Sequence, residues 1–318
     1  MQRRKHIPIS GPILQAKGNE FARILCKEDF QCSMSWITRF RVRHNIVFGK
    51  ISGESSSVPA GVSENWLQCI WPITRENFAD EDIYYADETG LFYRLTPDKT
   101  LRFKGESCHG GKHSKERVTV LVASNMTGTD KKKLLIIGKS KSPRCFKNVQ
   151  KLPLDYTHNK KAWMTSEIIS DWLRKWDEEL QKKKRKILLT VDNCPSHPSV
   201  PNPKNIELYF LPPNTTSVLQ PMDQGIIKNL KVKFRQRLVL KMLDQPENFK
   251  VSLLDAILMI SDSWDDVTQK TIQNCFRHGF GKDETRTDQE DDVRNFNEWA
   301  QELDFNFHGD AVIRRSRC

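Results

Sequence analysis

The sequence predicts a mixed α/β core with all-helical segments before and after it. Three observations carry this. Short apolar runs with β-branched members recur at Ile83–Ala86, Leu91–Leu95, Val118–Ala123, Leu134–Ile137, Ile187–Val191 and Ile206–Leu211, the pattern of buried strands. A long amphipathic helix lies between the fourth and fifth of these runs, from about Thr165 to Lys183. The stretches on either side of this core, residues 1–50 and 246–282, show helical periodicity and no strand pattern. Strands, then helix, strand, strand, helix is an α/β order.

Residues 1–50 read as a small helical module. Ile13, Leu14, Phe21, Ile24 and Leu25 give the stretch from Gly11 to Cys26 one apolar side. Lys27-Glu28-Asp29 reads as a loop. Ser33 is placed to cap a second helix, with Trp36, Ile37 and Phe40 on its apolar face and Arg39, Arg41, Arg43 and His44 beside them. Two helices across a short turn, the second basic with an aromatic anchor, fit a helix-turn-helix. An ordinary packing helix with a solvated basic face fits these residues equally well.

Residues 51–80 read as a linker. Gly, Ser and Pro dominate Ser52 to Gly61. Trp66, Leu67, Ile70 and Trp71 then suggest a short helix that docks on the next domain.

Residues 81–245 read as the core. Asn125-Met126-Thr127-Gly128 is a hairpin turn signal. Ile168, Ile169, Trp172, Leu173, Trp176 and Leu180 form the stripe of the long helix, with Thr165 or Ser166 as its cap. Lys182–Lys186 is either an import signal or a basic helix end favoured by the macrodipole. From Ile226 a last core helix carries Leu230, Phe234, Leu238 and Met242 on one side. Lys228, Lys231, Lys233, Arg235, Arg237 and Lys241 stud the rest, as a surface for a DNA backbone or a plain solvated face.

Three carboxylates are placed at the ends of these core elements. Asp87 follows the run Ile83–Ala86, Asp192 follows Ile187–Val191, and Asp223 precedes the helix that begins at Gly225-Ile226, 31 residues after Asp192. Three such acids are what a two-metal phosphoryl-transfer site needs, because hard Mg²⁺ takes oxygen ligands and keeps some of its waters. Taken singly, each also reads as a turn former or helix cap. Glu88 should point away from Asp87 if the strand continues through it, and His197 reads as packed in its loop.

Residues 246–282 read as two more helices. Leu253, Leu254, Ile257 and Ile260 line the first; Thr268 caps the second, which ends at Gly279. Residues 283–318 open acidic and aperiodic and read as a tail.

Composition narrows the class. The chain has 318 residues, 37% hydrophobic and 29% charged, with a net charge of +11. That balance suits a polyanionic partner. No apolar run is long enough to span a bilayer, and the N-terminus lacks an apolar signal core. The eight Cys form no CxxC, so reduced thiols are expected. Cys108, His109 and His113 make the sole Cys/His cluster, too small for a zinc site.

The phrases YADETGLFYR, KERVTVLVASNMTGTDKKKLLIIGKSKSPRCFKN, LLTVDNCPSHP and FLPPNTTSVLQPMDQGIIKNLK resemble the DDE domain of pogo/Tigger-type transposases, the Tigger transposable element-derived proteins above all. The resemblance runs from residue 7 to about 280. It implies an RNase H-like DDE catalytic domain in which Asp87, Asp192 and Asp223 are the catalytic carboxylates and hold two Mg²⁺ or Mn²⁺ ions. PISGPILQAKGNEFARI and DFQCSMSWITRFRVRHNI look like the second half of a centromere-protein-B-type DNA-binding region. Trp36, Arg39, Arg41, Arg43 and His44 are then the DNA-binding residues.

With this likeness the expectations are a nuclear, transposon-derived protein that binds double-stranded DNA and no membrane, with a homodimer on DNA. Its DDE domain would cut and join phosphodiesters. A domesticated, catalytically silent chromatin protein remains open beside it. A nuclease for RNA–DNA hybrids shares the acids, but the basic front module disfavours it. The chain starts at Met1 inside what would be the DNA-binding region, so phosphate contacts are expected without full base readout.

Overall fold

The computed structural model describes residues 11–27, 29–44, 46, 61–95, 114, 116–193, 203–213, 215–244 and 249–281. The chain divides into two compact units, residues 1–56 and 57–318. Cys108, His109, His113, His197, the Ser52–Ala60 stretch and the 283–318 tail lie outside the described residues.

The first unit holds α1 (Gly11–Ile24) and α2 (Met34–Arg43). Ser33 caps α2, accepting a hydrogen bond from the Trp36 N–H. Gly18 sits where a Cβ would lie 2.9 Å from the Cys32 sulfur, and the Cys32 N–H donates to Asn19 Oδ1 at 2.8 Å. This close approach, with Ala22 and Ile37 buried, joins the two helices. The expected apolar side of α1 does not become core: Ile13, Phe21, Ile24 and Leu25 are exposed. Two helices meeting through a glycine contact bury too little surface to cover that side as well.

The second unit is built on one six-stranded sheet. Its strands are β1 (Ile83–Phe92), β2 (Arg117–Asn125), β3 (Leu135–Gly138), β4 (Asp155–His158), β5 (Ile187–Val191) and β6 (Ile206–Phe210), in the order β4-β3-β2-β1-β5-β6. β2 pairs antiparallel with β1 and β3; β5 pairs parallel with β1 and β6, and β4 parallel with β3. An antiparallel hairpin pair extended by parallel strands on the β1 side is the RNase H-like arrangement. The β2–β3 hairpin turns at Gly128, whose φ is +65°, as the Asn-Met-Thr-Gly signal predicts.

Two expectations are corrected here. The runs Ile83–Ala86 and Leu91–Leu95 are one strand, because pairing with β2 continues unbroken from Tyr84↔Asn125 to Phe92↔Arg117. The polar residues between them are carried by the partner strand. β4 has no counterpart among the expected strands: as an edge strand of sequence DYTH it buries no side chain fully, so it leaves no apolar pattern.

Both faces of the sheet are covered. On one, α5 (Ser166–Lys183) packs Ile169, Trp172, Leu173, Trp176 and Leu180 over Tyr84, Ala86, Ile187, Leu189 and Val191. Thr165 caps it, and Lys184 closes it in a left-handed conformation. The basic run after it is ordered: Arg185 Nε pairs with Asp82 at 2.5 Å, and Ile187 opens β5.

On the other face lie α7 (Ile227–Asp244), α8 (Leu253–Asp265) and α9 (Gln269–Phe280). They close over Ile83, Tyr85, Val120, Val122 and Leu188. The stretch from α3 (Val62–Asn65) through a π-helical turn (Trp66–Ile70) to α4 (Trp71–Thr74) docks here as well. Trp66 stacks on Trp71 at 5.2 Å and donates to Tyr209 at 3.1 Å. α9 runs one residue past the expected end to Phe280. Gly279 lies inside it, where a Cβ would meet the Leu219 carbonyl at 2.7 Å.

Candidate active site

Side chains alternate across a strand. Ile83 and Tyr85 of β1, and Leu188 of β5, face the α7 side of the sheet; Tyr84, Ala86, Leu189 and Val191 face α5. By this alternation Asp87 faces the α7 side. The parallel register pairs Ile83 with Leu188, Tyr84 with Leu189 and Tyr85 with Thr190. The pairing ends there; Asp87 follows two residues later within β1, and Asp192 two residues later, just past the end of β5.

Asp87 lies in mid-strand, which corrects the expectation that it follows a strand end. It is 5% exposed, and its Oδ1 accepts the Glu88 N–H at 2.8 Å. Glu88 points to the opposite side, as the alternation requires. Asp192 lies one residue beyond β5 and is half-buried, where the parallel neighbour ends and a ladder no longer fixes the backbone. Asn193 is exposed.

Asp223 comes from the covering layer. After β6 the chain passes Pro212 and forms α6 (Thr216–Leu219). The Thr215 hydroxyl donates to the Pro212 carbonyl at 2.6 Å. A π-helical turn, Met222–Ile226, then leads into α7. Its backbone is fixed by the Asp223 and Gln224 N–H groups, which both donate to Gln220 O. Met222 and Ile226 anchor it in the core with Tyr85. Asp223 is thereby held half-exposed in a turn that packs on β1.

The kink that shapes this turn was missed by sequence reasoning. Gly225 has φ +158° and ψ −18°, outside what a side-chain-bearing residue adopts readily. A Cβ there would lie 3.1 Å from the Cys275 sulfur of α9. Burial pushes the Cys275 thiol up to about 12, against a smaller opposing effect of the hydrogen bond from the Ile226 backbone. Cys275 is therefore an inert packing group against the turn. A glycine at the start of a helix was the one local signal for it.

Carboxylate oxygens are the donors that hard divalent cations take. A buried carboxylate such as Asp87 costs free energy unless an opposite charge offsets it, and a bound cation would do so. Among the described residues, no three His, Cys, Asp or Glu side chains close into a metal cage. Asp87, Asp192 and Asp223 are all among the residues described, so the structure does not bring the three into one such group.

The expected cationic face of α7 is only partly there. Arg235 is buried, 4% exposed, and donates to the Leu95 carbonyl at 2.8 Å. Arg237 pairs with Asp266 and Lys241 with Asp255, each at 2.6 Å. These cations tie α7 to its neighbours, because the helix is covered on more than one side.

In the first unit the five expected DNA-binding residues separate. Trp36 is half-buried in an aromatic row, 5.3 Å from Phe30 and 5.0 Å from Phe40, and His44 lies 4.6 Å from Phe40. Arg41 Nε bends back to the Ile46 carbonyl at 3.3 Å. Arg39 and Arg43 are exposed, four apart and so on one face of α2.

Two family profiles match the chain. The one described as DDE superfamily endonuclease matches residues 115–276, and that of the Tc5 transposase DNA-binding domain matches residues 1–50. Tigger transposable element-derived protein 4 of Mus musculus is 41% identical over 274 residues, 85% of this chain and 53% of that protein. Major centromere autoantigen B of Homo sapiens is 28% identical over 306 residues, 86% of this chain and 50% of that protein. The chain thus spans about half the length of these relatives. Among solved structures, the Mos1 mariner paired end complex with Mn matches with a TM-score of 0.44 at 12% identity, covering 80% of this chain and 78% of that one.

Proposed function

The chain belongs to the DDE superfamily endonucleases, of the Tigger transposable element-derived type, and on that premise we propose that its second unit cuts and joins DNA phosphodiesters with divalent cations. The observation that supports this reading is that β1, which holds Asp87, pairs in parallel with β5, which Asp192 directly follows, while Met222 and Ile226 anchor the Asp223 turn in the same core cluster as Tyr85.

Asp87 and Asp192 would hold one Mg²⁺ or Mn²⁺ between them, and Asp223 would complete a second position from the facing turn. Bound there, such ions activate an attacking oxygen and stabilise a leaving one. The protein supplies the rest. Asp87, fixed in a central strand, keeps its carboxylate in place. The Asp223 turn, pinned by Gly225 and Cys275, sets the width of the site. No side-chain nucleophile is required.

The first unit would bind double-stranded DNA, as the relatives' DNA-binding profile suggests. Among the described residues of α2, Arg39 and Arg43 are exposed on one helix face and would meet phosphates there. A nuclear location and pairing of two copies on DNA belong to the same reading. So do the boundaries 1–50 for a DNA-binding module, 51–80 for a linker, 81–245 for the catalytic core, 246–282 for the C-terminal helices and 283–318 for a tail.

The second reading is a domesticated DNA-binding protein without turnover. The observation that favours it is that the carboxylates do not close into one group among the described residues. One experiment separates the two. Mn²⁺ and Mg²⁺ are titrated by calorimetry into the wild type and Asp192→Asn, beside nicking of supercoiled DNA. Uptake and nicking that both vanish in the variant support catalysis. DNA binding with neither leaves the second reading.

A further inference from the structure

The connection from β3 to β4, and the exit from β4, carry a cationic surface. Lys139, Lys141, Arg144, Lys147, Lys160 and Lys161 are all exposed. Among the described residues none of these six joins an ion pair. The one acid between residues 139 and 161 is Asp155, and it is held by Lys133 at 2.6 Å. On α7, by contrast, Arg235, Arg237 and Lys241 are tied to partners.

The segment is pinned from within. Phe146 meets Tyr156 edge-on at 4.9 Å, and the Tyr156 hydroxyl donates to the Ser140 carbonyl at 2.7 Å. Phe146, Leu152 and Tyr156 pack on the core cluster that contains Tyr85 and Met222. The connection therefore crosses the same face of the sheet that Asp87 faces. Its apolar side chains turn inward and its cations outward. At the β4 exit, Trp163 has Arg117 at 5.2 Å and Lys161 at 5.9 Å from its ring.

Distance from the acids can be read from the register. Asp87 pairs with Val122, and Leu121 with Leu135, so Asp87 is level with the start of β3. β3 and β4 lie two and three strands from β1, roughly 10–15 Å across the sheet, and Lys139 is about 17 Å further along it. At 3.4 Å per step of duplex, a backbone passing the acids meets this surface within roughly three to seven base pairs.

We propose that residues 139–161 form a track for the phosphate backbone of the DNA that flanks the reacting phosphodiester. This rests on the DNA-cutting reading above and assigns that site a flank-binding surface. The ligand class is the sugar–phosphate chain, held by charge and without base readout.

The test uses the full chain and a 30-base-pair duplex, with affinity measured by fluorescence anisotropy across a salt series in EDTA. The track variant is Lys139→Glu/Lys141→Glu/Lys147→Glu. The control is Lys175→Glu/Lys182→Glu/Lys183→Glu, the same charge change on exposed positions of α5, which covers the opposite face. Thermal melting verifies that both fold.

The track variant should lose about tenfold or more in affinity, for any duplex sequence. Its slope of log affinity against log salt should flatten by about 2–3, near 0.9 for each phosphate it no longer neutralises. The control should stay within roughly threefold, since a charge away from the bound DNA acts only through a screened field. Equal losses in both variants, or none in the track variant, overturn the proposal. Stronger, track-dependent binding of an RNA duplex overturns DNA as the ligand. Because EDTA removes cleavage, a protein that never nicks still shows whether the track binds, and a nicking protein indifferent to the track variant refutes the track alone.

Discussion

Asp87 and Asp192, 105 residues apart in the chain, are brought to two neighbouring parallel strands: Asp87 lies within β1, and Asp192 directly follows β5. Asp87 is buried, which places a carboxyl group inside the protein. Such an arrangement is costly for folding alone.

The first prediction turns on that cost. In EDTA, Asp87→Asn should be as stable as the wild type or more so, because a neutral isostere removes a buried charge. Its Mn²⁺ affinity should fall by more than about 100-fold, beyond the 10–100-fold typical of residues that merely support a ligand. Urea denaturation with and without Mn²⁺ measures both. A variant that is less stable in EDTA and binds Mn²⁺ normally would make Asp87 a structural residue.

The second concerns the turn that carries Asp223. Gly225→Ala should destabilise the protein by about 1–3 kcal/mol, the usual cost of a side chain at such a backbone conformation. Adding Cys275→Ala should restore part of the loss, because it removes the 3.1 Å approach but not the backbone strain. Denaturation midpoints of the two single variants and the double variant check this.

Lys131 ties α8 to the sheet. Its ammonium donates to the carbonyls of Trp264, Asp265 and Val267 at 2.8, 2.9 and 3.0 Å, satisfying the open C-terminal end of the helix. Lys131→Met should cost about 1–3 kcal/mol, the penalty for unmet partly buried acceptors. Urea midpoints should move while Mn²⁺ binding stays as in the wild type.

Asp255 sets a pH dependence. Burial works to raise its carboxyl, but hydrogen bonds from Lys241 and Ser252 outweigh it and hold the group below 3.8. A depressed carboxylate stabilises the fold in full above its ordinary value and loses that contribution as pH falls through its folded value. The Tm gap between wild type and Asp255→Asn should therefore be constant at neutral pH and narrow below about 3.8. A gap unchanged down to pH 2 would rule out the linkage.

Much of the fold is legible locally. The bounds of β5 are plain in the sequence, because five consecutive buried residues leave an unbroken apolar run. The cap and stripe of α5 are equally plain, since one helix face does one job. Local patterns fail where a neighbour decides. The middle of β1 looks like a break in the chain, yet β2 pairs through it. β4 is strand only because β3 offers a parallel edge. Arg235 looks like part of a solvated face, but the Leu95 carbonyl takes its guanidinium.

Residues close together in the chain were enough to give the class of the core, the family likeness and the caps of α2, α5 and α9, and to single out three candidate carboxylates. Periodicity and side-chain chemistry act directly over such short spans. That Asp87 and Asp192 come to neighbouring parallel strands, that the Asp223 turn leans on Cys275, and which cations are already committed emerge only when the chain is folded. Those are relations between distant segments, set by strand register and by helix packing over the sheet, and no local pattern encodes them.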